Sequence, residues 1–128
     1  MGNSKAGKIR DLGKVEGGLI ELVDAIIKGA ILNGSKLVRF SNPSRKKVNV
    51  YESDGHEPLR RTAHFPLRLR SSVVARLKIM ANVSISVHRM AQTGTINFQL
   101  TGEMKEVKMM CIPTIKGDED IVLTMTWA

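Results

Sequence analysis

Between Ile96 and Trp127 the chain reads three times over as apolar, polar, apolar, polar, and that two-residue period restricts its fold more than any other feature. Ile96, Phe98 and Leu100 alternate with Asn97 and Gln99; Val107, Met109 and Cys111 alternate with Lys108 and Met110; Ile121, Leu123, Met125 and Trp127 alternate with Val122, Thr124 and Thr126. A strand points successive side chains to opposite faces, so each segment has one face to bury. Thr101, Gly102 and Glu103 join the first two over a distance short enough for a hairpin, which predicts an antiparallel meander. Before it, Leu69, Val73, Leu77 and Met80 recur at helical steps, with Arg68, Arg70, Arg76 and Lys78 mostly on other sides. That helix is expected to lie across the apolar face of the meander.

A second helix is expected over Leu19 to Leu32, where Leu19, Leu22, Val23, Ile26, Ile27 and Ala30 trace one side and Asn33-Gly34 supplies a left-handed stop. Leu37, Val38 and Phe40 then suggest a short strand, and Val48, Val50 and Tyr51 another, with Asn42-Pro43-Ser44 turning the chain between them. Asp54-Gly55 marks a tight turn, and a third strand begins near Leu59 and closes at Pro66. The fold class is therefore α+β: helix, three short strands, helix, three longer strands, with the helices packed on an antiparallel sheet. Residues 1–17 are rich in Gly and Lys and are expected to form a mobile tail, leaving 18–128 as one domain.

Composition narrows the function classes. A single cysteine, Cys111, excludes an internal disulfide and reads as a small buried hydrophobe. No apolar run approaches the length of a membrane span and no secretory leader is recognisable, which places the expectation in the cytoplasm. Twenty Lys plus Arg against twelve Asp plus Glu give a net charge of +8, which favours acidic partners without choosing among them. Gly2 to Lys8 has the skeleton of a phosphate-binding loop, but Ile9 stands where a Ser or Thr must ligate magnesium. The acylation pattern begun by Met1-Gly2 fails at Ala6.

The string VVARLKIMANVSISVHRMAQTGTINFQL, followed by VKMMCIPTIKGDEDIVLTMTW, resembles the domain that precedes the ATPase core in the hexameric ATPases of bacterial type II secretion, type IV pilus assembly and DNA uptake. Arg76 to Ala81 matches a helix ending in RIKxMA, Val83 to Thr95 an LDIAERRxPQDGR loop, Val107 to Thr114 a VDxRVSxxPT strand, and Gly117 to Leu123 a GExxVLR strand. Upstream, Ala30 to Phe40 sits where that family has GASDIHIEP, and Val48 to Gly55 where it has RVRYRIDG. The resemblance covers residues 19–127 and implies a PAS-like architecture. It also implies that arginines of the RIDG turn and the QDGR loop reach nucleotide phosphates or acidic residues at the interface with the ATPase core. Here Glu52 stands at the first such position, Thr95 at the second, and Thr93 replaces the loop aspartate. Neither residue stabilises phosphate charge as a guanidinium does. Of the loop's paired arginines only Arg89 remains, preceded by His88. The sequence stops at Ala128, ahead of any phosphate-binding loop of an ATPase core, so ATP hydrolysis by this chain alone is not expected. It reads as an excised domain or as a free-standing relative, and the altered positions favour the second.

No other constellation carries chemistry. His56, His64 and His88 lack metal-type spacing, the Asp118-Glu119-Asp120 run reads as a solvated turn, and no nucleophile elbow is present. Neither a cofactor nor a metal is expected. What rises above background is the basic set Arg60, Arg61, Arg68, Arg70, Arg76, Lys78, His88 and Arg89, expected on the outer side of the second helix and its following loop as a partner-binding surface; Arg45, Lys46 and Lys47 form a smaller group. The preferred expectation is a non-enzymatic interaction or regulatory domain docking on a secretion or pilus motor. The alternative is a basic nucleotide- or nucleic-acid-binding module, for which aromatic residues suited to stacking are few.

Overall fold

A computed structural model describes residues 9–41, 45–56 and 58–126. The tail expected over residues 1–17 divides. Residues 1–8, with both rejected motifs, lie outside the described part, as do the Asn42-Pro43-Ser44 turn and Trp127. Arg10–Asp11, in contrast, form a short strand, β1, and a 3₁₀ turn at Leu12–Lys14 carries Leu12 into the core at 2% exposure. One fully buried leucine side chain contributes about 1.5–3 kcal/mol, and here it anchors the segment.

The first helix, α1, spans Leu19–Leu32 and buries Leu22, Val23, Ile26, Ile27 and Ala30, the stripe its periodicity predicts. It stops as Asn33-Gly34 requires: Gly34 turns left-handed at φ 73°, and Gly34 and Ser35 return their N–H groups to the carbonyls of Ile31 and Ala30. Three strands follow, β2 (Leu37–Ser41), β3 (Lys47–Ser53) and β4 (Arg60–Pro66). The second helix, α2, spans Arg70–Met80 after a 3₁₀ turn at Leu67–Leu69. The expected meander closes the chain as β5 (Gln92–Leu100), β6 (Glu103–Pro113) and β7 (Glu119–Met125).

The two sets of strands are one sheet. Its order is β1-β4-β3-β2-β7-β6-β5, antiparallel except where β1 runs parallel to β4, and the halves are joined by β2 and β7 through the pairs Leu37–Thr124, Val38–Leu123 and Arg39–Val122. Val38, Phe40, Val50, Phe65, Ile96, Val107, Met109, Cys111, Ile121 and Leu123 share the buried face. Both helices cover that face and touch one another, and the opposite face carries exposed Arg39, Lys108, Met110 and Thr124. Cys111 is fully buried, as its parity in β6 predicts. Gly94 in β5 has a steric reason: a Cβ there would stand 2.5 Å from the Ala81 carbonyl at the end of α2. Among the described residues no helix is long and apolar enough to cross a membrane.

Candidate functional site

α2 departs from expectation in one respect that creates the site. Its buried residues are Val73, Val74, Leu77 and Lys78, so the inward stripe includes the column Arg70–Val74–Lys78 at four-residue spacing as well as Val73–Leu77. Lys78, expected on the outer side with the partner-binding set, is 1% exposed. Its Nζ donates to Glu119 Oε1 at 2.9 Å and to the Val87 carbonyl at 2.8 Å. Glu119, the first residue of β7 and 6% exposed, shares the inward parity of Ile121, Leu123 and Met125. It is therefore not part of a solvated acidic turn.

Further groups converge on this pair. His88 Nδ1 lies 3.2 Å from the same Glu119 Oε1 while the rest of its ring faces solvent, and Arg70 donates to the Glu119 backbone carbonyl. Gln92 fastens the intervening loop through Ser84, accepting from its N–H at 3.1 Å and donating to its carbonyl at 3.0 Å. Glu119 Oε2 is buried with no hydrogen-bond partner among the described residues. Burial pushes the Cys111 thiol above its ordinary value; the Glu119 carboxylate adds to that push and Lys78 opposes it. A groove of about 510 Å³ opens beside the pair, walled by Leu67, Val74, Ala75 and Ile85 and bordered by Arg70, His88 and Asp118.

A second buried carboxylate lies at the other end of the sheet. Glu52, with no exposure, follows Val48 and Val50 on the inward parity of β3 and accepts from Ser35 Oγ at 2.6 Å, Asn33 Nδ2 at 3.0 Å and Thr62 Oγ1 at 2.8 Å. The Arg10 guanidinium approaches it to 3.9 Å from β1. A shift in the β3–β4 register beside Val50 and Tyr51 turns Thr62 toward the same carboxylate. Glu52 thus ties β1, the end of α1, β3 and β4 together, and its side chain is engaged inside this chain.

The eight residues expected to share a partner-binding surface stand in different surroundings, and Lys78 is buried. Arg70, Lys78 and His88 meet at Glu119. Arg60 is half-buried opposite Glu52, and Arg61 is exposed on β4 opposite Tyr51. Arg68 is exposed in the 3₁₀ turn, Arg76 is half-buried on α2 with an enclosed Nε, and Arg89 is exposed in the loop. Sequence reasoning missed Glu52 and Glu119 as centres. The available signal was parity, since each carboxylate falls on the apolar side of its own strand's alternation.

The chain is similar to known proteins over nearly its whole length. The family model described as type II/IV secretion system protein matches residues 14–126. Among curated proteins, the type II secretion system protein E of Xanthomonas campestris is 31% identical over 115 residues, covering 89% of this chain and 20% of that protein. The type IV pilus assembly ATPase PilB of Pseudomonas aeruginosa is 29% identical over 106 residues, covering 81% of this chain and 18% of the relative. The type II secretion system ATPase E of Vibrio cholerae is 25% identical over 104 residues, with 81% and 20% covered. The chain therefore spans about a fifth of the length of these bacterial relatives.

Proposed function

The chain belongs to the type II/IV secretion system protein family, and on that premise we propose that it is a non-catalytic docking or regulatory module that acts on a cytoplasmic secretion or pilus motor. One observation carries this reading: the family scaffold is retained while the positions that would meet phosphate are spent otherwise. Glu52 is held inside the chain by Asn33, Ser35 and Thr62, and Thr93 and Thr95 bring no charge to β5. A buried carboxylate satisfied by its own chain has nothing to offer a phosphate, which it repels.

The surface that suits a protein partner is the last turn of α2 and the loop after it. Ile79, Ile85 and Met90 are 56%, 49% and 68% exposed, and Arg89, next to Met90 in sequence, is exposed as well. Large exposed apolar side chains favour a protein interface over a phosphate site. The nucleotide or nucleic-acid alternative loses support, because Lys78 and Arg70 are committed to Glu119.

Affinity capture of the tagged chain from its native cell tests the proposal. A secretion or pilus motor component is expected in the eluate, and its recovery is expected to fall when Ile85 and Met90 are both replaced by Glu. An eluate without any such component overturns the reading. In parallel, NMR titration with ATP and with an oligonucleotide at low salt is expected to leave amide shifts unchanged.

A further inference from the structure

Residues 10–15 are attached to the domain by few contacts, and the polar ones are long. β1 adds two residues to the edge of β4, at the place where the sheet is parallel. The Arg10 guanidinium reaches the Ala25 carbonyl at 3.5 Å and Glu52 at 3.9 Å, and Asp11 lies 3.8 Å from His64 Nδ1. Contacts of that length between partly exposed side chains hold little. Arg10 Nη2 is buried with no hydrogen-bond partner among the described residues. Within this segment only Leu12 is buried, so one side chain supplies most of the attachment.

The rest of the chain makes room for this segment without depending on it. Glu52 keeps Asn33, Ser35 and Thr62 as donors whether or not Arg10 is near. Gly17 and Gly18 separate the segment from α1, and both are left-handed, with φ of 100° and 95°. Two successive glycines there form a hinge, because only they turn freely through that region. Gly29, inside α1, adds a second sign. Glycine weakens a helix interior, and a Cβ at this one would stand 2.5 Å from Arg10 Nη2 and 2.7 Å from Nη1. The helix is thus weakest in propensity at the point where the guanidinium crosses it.

We propose that residues 10–15 are a strap that opens as a unit on the Gly17–Gly18 hinge while the rest of the domain stays folded. Closed, it buries Leu12 and pairs with β4 at Ala63 and His64. Open, it returns the Arg10 guanidinium and its unpartnered Nη2 to water, which offsets part of the lost burial. Opening also leaves β4, Arg60–Pro66, as a bare seven-residue edge of the sheet. A short charged strand is a guard for such an edge, so the strap controls when β4 is available for pairing. The inference is independent of the motor reading, and either can fail alone.

Leu12→Cys puts a thiol in the seat of the strap, and the buried Cys111 of the same molecule gauges global unfolding. In the folded full chain, iodoacetamide should label the introduced thiol at least about 100-fold faster than Cys111. Gly29→Ala, which crowds the guanidinium, should raise that ratio by about threefold to fivefold, the worth of one partly exposed ion pair. Because Leu12→Cys itself loosens the seat, amide hydrogen exchange in the unaltered chain supplies the second measurement. The Val15 amide, which donates to the Leu12 carbonyl at 3.2 Å, should exchange at a rate that dilute urea barely changes, while exchange at Ile26 and Ile27 in α1 rises with urea. Equal labelling of the two thiols overturns the proposal. So does a ratio that Gly29→Ala leaves unaltered, or Val15 exchange that follows urea as steeply as that of Ile26.

Discussion

Lys78 and Glu119, 41 residues apart in sequence, form an ion pair of 2.9 Å with 1% and 6% of their side chains exposed. The pair fastens α2 to the start of β7, and through the Val87 carbonyl and His88 it also fixes the intervening loop. Two charges removed from water are tolerated because each is met by the other and by further polar groups.

Removing one partner should therefore hurt far more than removing both. Lys78→Met is expected to lower unfolding free energy by about 3–5 kcal/mol, since it strands a buried carboxylate. The double variant Lys78→Met, Glu119→Leu should recover most of that loss. Urea denaturation of the two single variants and the double variant measures the coupling.

His88 reaches only one oxygen of Glu119 and leaves Oε2 unsatisfied. A guanidinium donates to both oxygens of a carboxylate, so His88→Arg is expected to stabilise the chain by about 0.5–1 kcal/mol, discounted because residue 88 stands mostly in solvent. A rise in melting temperature checks this, and an unchanged or lower value counts against the orphaned oxygen.

Glu52→Arg would restore a guanidinium where related ATPases are expected to carry one. Because Glu52 has no exposure and accepts from three side chains, the substitution should unfold the chain instead of creating a phosphate site. The milder Glu52→Ala leaves three donors unpaired and should cost more than about 3 kcal/mol. A folded Glu52→Arg variant that binds ATP by NMR would contradict the internal role assigned to this residue.

Gly94→Ala should destabilise by about 1–3 kcal/mol, because its new methyl group meets the Ala81 carbonyl at 2.5 Å and backbone must move to admit it. The loss should appear as faster hydrogen exchange at the end of α2.

Burial raises the Cys111 pKa above its ordinary 9.0, so the folded chain holds the thiol proton more tightly than the unfolded chain. The associated stability is complete below pH 9 and is lost as pH rises above it toward the folded value. Iodoacetamide should accordingly label native Cys111 only at the rate of unfolding, and quickly in urea.

The strands were legible because period-two alternation is a local property. Ile96, Phe98 and Leu100 report their own burial, Asn33-Gly34 announces the end of α1, and the string around Lys78 to Thr95 carries the family resemblance. The short element at Arg10–Asp11 was not legible. Two residues have no period, and their place depends on an open edge offered by β4.

By itself the sequence determined which residues want to be buried, and so the number of long strands, the two helices and the family. Only the tertiary structure decided that the two strand sets join through β2 and β7 into one sheet, and that Glu52, Lys78 and Glu119 turn inward. The physical reason is that burying a charge depends on a partner tens of residues away. Nothing within a few residues of Lys78 reveals Glu119, and without it the same lysine would belong in water.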